Sequence, residues 1–225
     1  MNQEWAALGD LRQRVLDAAH AALELEVAAL GLLSQRLSAQ VEGAFPVLYA
    51  CRGRVVVTGI GKSGHVGRKI SATLSSTGTP SFFIHSVEAL HGDSGALTAG
   101  DVLIAISNSG TTAEVCAFGE LAARMGVPVI AVVGQIDSPL ARLATAVLDV
   151  SVAREADPLN LAPTASTTVT MVMGDVLAAA LMAARNFTAA DFALRHPGGA
   201  LGVRTSVLAT GGPSGAHHSI SSESQ

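Results

Sequence analysis

The chain has 225 residues, 49% of them apolar and 14% charged, so it can bury one sizeable core and a single domain is the expectation. A net charge of −4, with two lysines (Lys62 and Lys69) against twelve arginines, and a 4% aromatic content offer neither a basic stripe nor stacking platforms for nucleic acid. No apolar run reads as reaching the roughly 20 residues of a membrane span, and Met1-Asn2-Gln3-Glu4-Trp5 lacks the basic start and apolar core of a signal region, so a cytoplasmic location is expected.

Leu11, Val15, Ala19, Leu23, Val27, Leu30 and Leu37 keep three-and-four spacing, which predicts a long N-terminal helix of a length suited to packing against a second subunit. A shorter helical stretch, Phe45 to Ala50, leads to a first strand over Arg54 to Thr58. Gly64 to Ser76 reads as a helix, Ser81 to Ile84 as strand two, Asp101 to Ile106 as strand three and Ala113 to Met125 as the next helix. Pro128 to Val133 and Ala146 to Val152 are strands four and five, and Pro163 to Ala184 is an Ala/Val/Met-rich helix able to cross the core. Strands alternating with helices imply an α/β fold, a three-layer α-β-α sandwich on a five-stranded parallel sheet. Cys51 and Cys116 have no partner spacing for zinc and read as small, partly buried thiols.

Two loops stand out. Gly59-Ile60-Gly61-Lys62-Ser63-Gly64 follows Val55-Val56-Val57, and Ser107-Asn108-Ser109-Gly110-Thr111-Thr112 follows Val102-Leu103-Ile104-Ala105-Ile106. Each reads as the mouth of a buried parallel strand opening into a helix, where amides, hydroxyls and the positive helix end can hold an anion. If the strand order is flavodoxin-like, 2-1-3-4-5, these loops flank the switch point and would hold one phosphate between them. The first loop also fits G-x-G-x-x-G, but an NAD reader wants an acidic residue at the end of strand two, where Ile84-His85-Ser86 stands. A P-loop would need glycine at position 56, which is Val.

Gly-Lys-Ser-Gly-His from Gly61, Thr77-Gly78-Thr79-Pro80-Ser81-Phe82-Phe83, Glu88 with His91-Gly92-Asp93, and Ser107-Asn108-Ser109-Gly110 together resemble the sugar isomerase (SIS) fold. More closely, with Glu155-Ala156-Asp157-Pro158-Leu159-Asn160-Leu161-Ala162-Pro163-Thr164, Asp191-Phe192-Ala193-Leu194 and His196-Pro197-Gly198-Gly199-Ala200-Leu201-Gly202, the chain is similar to the D-arabinose-5-phosphate isomerase family. The resemblance runs from about Val55 to Gly202. It implies a cofactor-free interconversion of ribulose 5-phosphate and arabinose 5-phosphate through an enediolate, a homodimer or homotetramer with the site near a subunit interface, and a sugar phosphate as the small-molecule partner.

By that resemblance Lys62, Glu114, Glu155 and His196 match catalytic positions. Glu155 is favoured as the base at carbon, and His196 suits ring opening because imidazole titrates near neutrality. Lys62 could neutralise phosphate or steady the enediolate. Ser63, Ser107, Ser109 and Thr112 are the expected phosphate ligands with Asn108 beside them, and Gly61, Gly78, Thr79, His91 and Thr167 complete the substrate set. In such assemblies the histidine can come from a neighbouring subunit. His85 aligns with a position suspected of binding an inhibitory divalent metal, yet one histidine is not a metal site and none is expected. Plain alternatives stand beside these readings: Glu114 as a first-turn acid facing the helix dipole, the serines as N-caps, Ser166, Thr167 and Thr168 as a cap of the long helix, His91 bonding Asp93, and Glu155 paired with Arg154.

Asp157 stands where the family usually has Cys, and Ser86-Val87 where it has Pro-Gly, which leaves a hexulose or heptose phosphate open as substrate. The C-terminal CBS pair common in the family is expected to be missing. The expected organisation is a helical packing segment over 1–50, a SIS core over 51–202 and a disordered Gly/Ser/His tail over 203–225, whose His217 and His218 are tail composition. A phosphosugar-binding sensor without turnover is the non-enzymatic alternative.

Overall fold

Five short runs of aliphatic residues form the strands of a computed structural model that describes residues 9–197. They are β1 (Val55–Gly59), β2 (Ser81–His85), β3 (Val102–Ile106), β4 (Val129–Val133) and β5 (Ala146–Asp149), paired in parallel in the order β2-β1-β3-β4-β5. In register, Val55 faces Ser81 on one side and Val102 on the other. The three central strands are buried throughout, which is why they read as continuous apolar runs without alternation.

Helices cover both faces. α1 (Gly9–Tyr49), α2 (Gly61–Ser76) and α6 (Ala165–Ala184) lie on one; α3 (Ser86–Leu90), α4 (Ala113–Arg124) and α5 (Pro139–Leu143) lie on the other, and α7 (Ala189–Arg195) follows α6. Alternate residues of each strand divide between two cores. Val55, Val57, Ile104 and Ile130 pack with Leu33, Leu48, Ile70 and Met173, whereas Val56, Leu103 and Ala131 pack with Val115, Phe118 and Leu140. Each large side chain so buried contributes roughly 1.5–3 kcal/mol.

The architecture is the expected α/β sandwich, and several expectations about its parts change. The two N-terminal helical stretches are one helix that runs through Pro46, whose missing amide leaves the carbonyl of Glu42 without its bond on an exposed side that water can reach. The second half of α1 belongs to the main core, where Ala29, Leu33, Ala44 and Leu48 are buried, while Leu11, Val15, Leu23 and Val27 of its first half are exposed. α2 begins three residues earlier than expected, and β5 stops at Asp149. The expectation that no segment has the length and apolarity of a membrane span is also corrected, because α6 does by length and composition. It nevertheless packs against α1 and α2 with Val169, Met173, Leu177 and Leu181 buried, as a core helix does. Gly174 allows the close crossing with α2, since a Cβ there would strike the side chain of Ile70. The expected tail over 203–225 and Gly198 to Gly202 of the last motif lie outside the described residues.

Candidate functional site

At the mouth of β1 the chain turns into α2 with unusually close backbone contact. A Cβ on Gly64 would sit 2.9 Å from the carbonyl oxygen of Gly59, so only glycine lets the helix start directly against the strand end. Gly61 occupies a left-handed conformation (φ 58°) at the first position of the helix. Lys62 is exposed in the first turn and Ser63 half-buried beside it. Among the described residues, Lys62 forms no ion pair.

The mouth of β3 is a tight hydroxyl turn. Buried Ser107 accepts a hydrogen bond at Oγ from the Gly110 amide (3.1 Å), and its hydroxyl stands 2.9 Å from that of Thr112. Ser109 Oγ accepts from the amide of Thr111 (3.2 Å) and from its hydroxyl (2.9 Å), and the Asn108 carbonyl accepts from the Gly134 amide (2.8 Å). Gly110 has φ 63°, and a Cβ there would meet Ser138 Oγ, so this turn requires glycine on both counts. Glu114 is half-buried in the first turn of α4 and makes no side-chain hydrogen bond among the described residues.

These two helices share a feature that α3, α5 and α7 lack. His85, Ser138 and Thr188 cap those three, whereas Ile60 before α2 and Thr112 before α4 make no side-chain cap bond. The serine turn is therefore no N-cap. Among the described residues, the first-turn amides of α2 and α4 have no partner at the switch point between β1 and β3, where each helix carries its positive end.

Glu155 stands on the same carboxyl edge, in the loop between β5 and α6. Its Oε2 accepts from the Thr164 amide (2.8 Å), the Thr164 hydroxyl (3.2 Å) and the Ser166 amide (3.1 Å), so Glu155 caps α6 in place of the N-cap residue Thr164. Burial pushes the Glu155 carboxyl upward, but the donors from Ser166 and Thr164 outweigh it and hold the pKa below the ordinary value. The Ser166 hydroxyl is itself buried without a partner of hydrogen-bond geometry among the described residues. The alternative pairing of Glu155 with Arg154 is absent among the described residues. Thr167 turns its hydroxyl to the carbonyls of Thr164 (2.8 Å) and Pro163 (3.3 Å), a bond within its own helix start.

His85 at the end of β2 accepts the Val87 amide at Nδ1 (3.4 Å) and lines a cleft of about 220 Å³ with His65, Arg68 and Phe83. His91 is exposed just after α3. Among the described residues, no three His, Cys, Asp or Glu side chains cluster as a metal site would require. Ser86, one of the departures from the resembled family, is fully buried and bonds Thr58 (2.8 Å).

Within one chain, three expected site residues stand elsewhere. Gly78 and Thr79 precede β2, on the amino edge of the sheet. Thr79 is buried and accepts from Arg185 Nη1 (2.6 Å), and Gly78 lies under Phe187, whose ring a Cβ at position 78 would strike. Both line a cavity of about 710 Å³ with Cys51, Arg52 and Arg185. His196 ends α7 on this side, its ring stacked on Phe192 (3.8 Å), while the neighbouring Arg195 lies over Phe187. The 20 residues of α6, about 30 Å of helix, separate this edge from Glu155. Thr164 and Asn160, which position Glu155, were not singled out by sequence reasoning; a threonine directly before a helix start, nine residues after a glutamate, is the signal they leave.

The SIS domain family model matches residues 48–180. The chain is 56% identical over 192 residues to an arabinose 5-phosphate isomerase, KdsD, of Pseudomonas aeruginosa, covering 84% of this chain and 59% of that protein. It is 54% identical over 180 residues to KdsD of Escherichia coli K12, covering 80% and 55% respectively. The chain thus spans less than two thirds of the length of these relatives. The solved structure of the c3406 protein of E. coli CFT073 in complex with arabinose 5-phosphate superposes with a TM-score of 0.79 at 40% identity, covering 83% of this chain and 99% of that one.

Proposed function

Since the chain belongs to the SIS domain family, we propose that it is an aldose–ketose isomerase interconverting D-ribulose 5-phosphate and D-arabinose 5-phosphate. The observation that carries this reading is the pair of uncapped helix starts facing each other across the β1/β3 switch point, with the Glu155 carboxylate on the same edge. The choice of sugar is supported by the arabinose 5-phosphate isomerases and the arabinose 5-phosphate complex to which the chain is similar.

The phosphate is held by the amides of the first turns of α2 and α4 with the hydroxyls of Ser63, Ser107, Ser109 and Thr112, the Gly61 backbone and Asn108 around it. Anchoring at the phosphate fixes C1 and C2 of the open-chain sugar. Glu155, ionised because its pKa is held low, takes the proton from C1 of ribulose 5-phosphate; the electron pair moves onto the C2 oxygen and an enediolate forms. Returning the proton to C2 while the C1 hydroxyl loses its own gives the aldose, with no net change in electrons, so the reaction needs no redox cofactor. Lys62 stabilises the negative oxygen or the phosphate, and Glu114 moves protons between the oxygens.

His196, Gly78 and Thr79 share the amino edge, remote from Glu155 in one chain. This arrangement supports a homo-oligomer in which a second copy brings its amino edge to the site and His196 opens the sugar ring. The exposed leucines and valines of the first half of α1 provide a surface for such packing.

The test is incubation of the protein with ribulose 5-phosphate in deuterated water containing EDTA, followed by NMR. Arabinose 5-phosphate carrying deuterium at C2 is expected. Binding of ribulose 5-phosphate without turnover would overturn the reading in favour of another phosphosugar or a sensor.

A further inference from the structure

We propose that Asp157 is a positioning residue for Glu155, acting through the tip of the loop that joins β5 to α6. The inference rests on the catalytic role given to Glu155 above. The loop from Val150 to Thr164 contains no regular element among its residues, and ordering each such residue costs roughly 1–2 kcal/mol of backbone entropy. Its tip has no apolar anchor, since Leu159 is 76% and Leu161 77% exposed. What closes it is one carboxylate. Asp157 Oδ1 accepts from the Leu159 amide (2.9 Å), and Oδ2 accepts from the amides of Leu161 (2.8 Å) and Ala162 (2.9 Å).

That closure reaches Glu155 through Asn160. The turn around Asp157 gives Asn160 its left-handed conformation (φ 55°) and ties its amide to the Asp157 carbonyl (3.0 Å). Asn160 Oδ1 then accepts the amide of Glu155 itself (2.7 Å). From the other side, Thr164 Oγ1 accepts the Ala156 amide (2.7 Å) while donating to Glu155 Oε2. The Glu155 backbone is therefore clamped between the loop tip and the start of α6. Both Asp157 oxygens accept loop amides, three bonds in all, so the carboxylate's visible work is to hold the loop.

The experiment compares Asp157→Ala, Asp157→Asn, Asn160→Ala and the Asp157→Ala/Asn160→Ala double variant with wild type, reading kcat, KM, melting temperature and amide hydrogen exchange at the loop tip. Misplacing a catalytic group can cost about a hundredfold in rate, so Asp157→Ala is expected to lower kcat about ten- to a hundredfold with KM within about threefold. Asp157→Asn, which keeps an acceptor, is expected to fall between it and wild type. The double variant should lose little beyond the worse single one, because both changes break the same tie. The amides of Leu159, Leu161 and Ala162 should exchange faster in Asp157→Ala, a readout independent of activity. Wild-type kcat in Asp157→Ala, or fully additive losses, or unchanged exchange would overturn the inference. Glu155→Gln separates the two levels: if it is inactive while Asp157→Ala is fully active, the inference fails alone, and if it is fully active the catalytic reading fails first.

Discussion

The hydroxyl of Ser107 meets that of Thr112 at 2.9 Å, so the residue in the N-cap position of α4 is turned away from the helix it precedes. The turn gives up a stabilising cap, ordinarily worth about 1 kcal/mol, and leaves the helix amides to an outside anion.

Replacing Ser107 with Ala should therefore weaken phosphate binding more than turnover. A hydrogen bond to a charged group contributes about 1.5–3 kcal/mol, which is roughly a ten- to hundredfold rise in KM with kcat changed little. Steady-state kinetics with ribulose 5-phosphate checks the split; a fall in kcat at constant KM would move Ser107 out of the phosphate site.

Glu155→Gln should lower kcat by about 10²–10⁴-fold while the fold persists, because the amide oxygen can still accept the Thr164 and Ser166 amides. In wild type, the acid limb of the kcat profile should lie below the ordinary glutamate range, since the folded-state pKa is lowered. A limb near neutrality would point to another group.

Glu155, Asp157 and Asp191 all have lowered folded-state pKa values: in Glu155 burial is outweighed by donors from Ser166 and Thr164, in Asp157 slight desolvation is outweighed by three loop amides, and in Asp191 the Thr188 side chain dominates. Groups of this kind contribute stability that is fully present above their unfolded values, near pH 4, and is lost as pH falls through the lower folded values. Melting temperature should accordingly be flat from pH 7 to about 5 and drop below about 4, with a shallower drop in Asp191→Asn.

The strands and the two anion loops were legible because a buried parallel strand has to be a continuous apolar run and because only glycine or small hydroxyl residues fit where its end meets a helix, as at Gly64 and Gly110. The continuity of α1 was not, since Pro46 reads as a break unless its exposed position near the helix end is known. Nor could spacing along the chain reveal that Thr79 and His196 stand a helix length away from Glu155. That separation is set by which end of α6 each motif adjoins, and it arises only when the sheet is assembled.

Mixing inactive Glu155→Gln with inactive His196→Asn under conditions that exchange subunits should restore part of the activity, because one interface would then join an intact Glu155 to an intact His196. Absence of recovery, with exchange verified by mass spectrometry of labelled chains, would sink the shared-site arrangement.

Gly174→Ala should destabilise by about 1–3 kcal/mol through overpacking against Ile70. For a chain of this size that is a fall of about 2–4 °C in melting temperature per kcal/mol. Ile70→Ala removes every Ile70 atom the new methyl would meet, so the double variant should cost less than the sum of the two single changes, and additive losses would contradict the contact.

The two cores divided by the sheet carry a consequence for how activity emerges during folding. Lys62 and Glu155 ride on the layer of α1, α2 and α6, whereas Ser107, Thr112 and Glu114 belong to the turn and helix that dock through Phe118 on the opposite layer. A chain with one layer seated and the other loose holds half an anion cradle, with the Glu155 carboxylate beside it only when the seated layer is that of α1, α2 and α6. Catalysis is thus a stricter witness of completion than secondary structure: during refolding, turnover should lag behind helix formation and rise with the slower-docking layer.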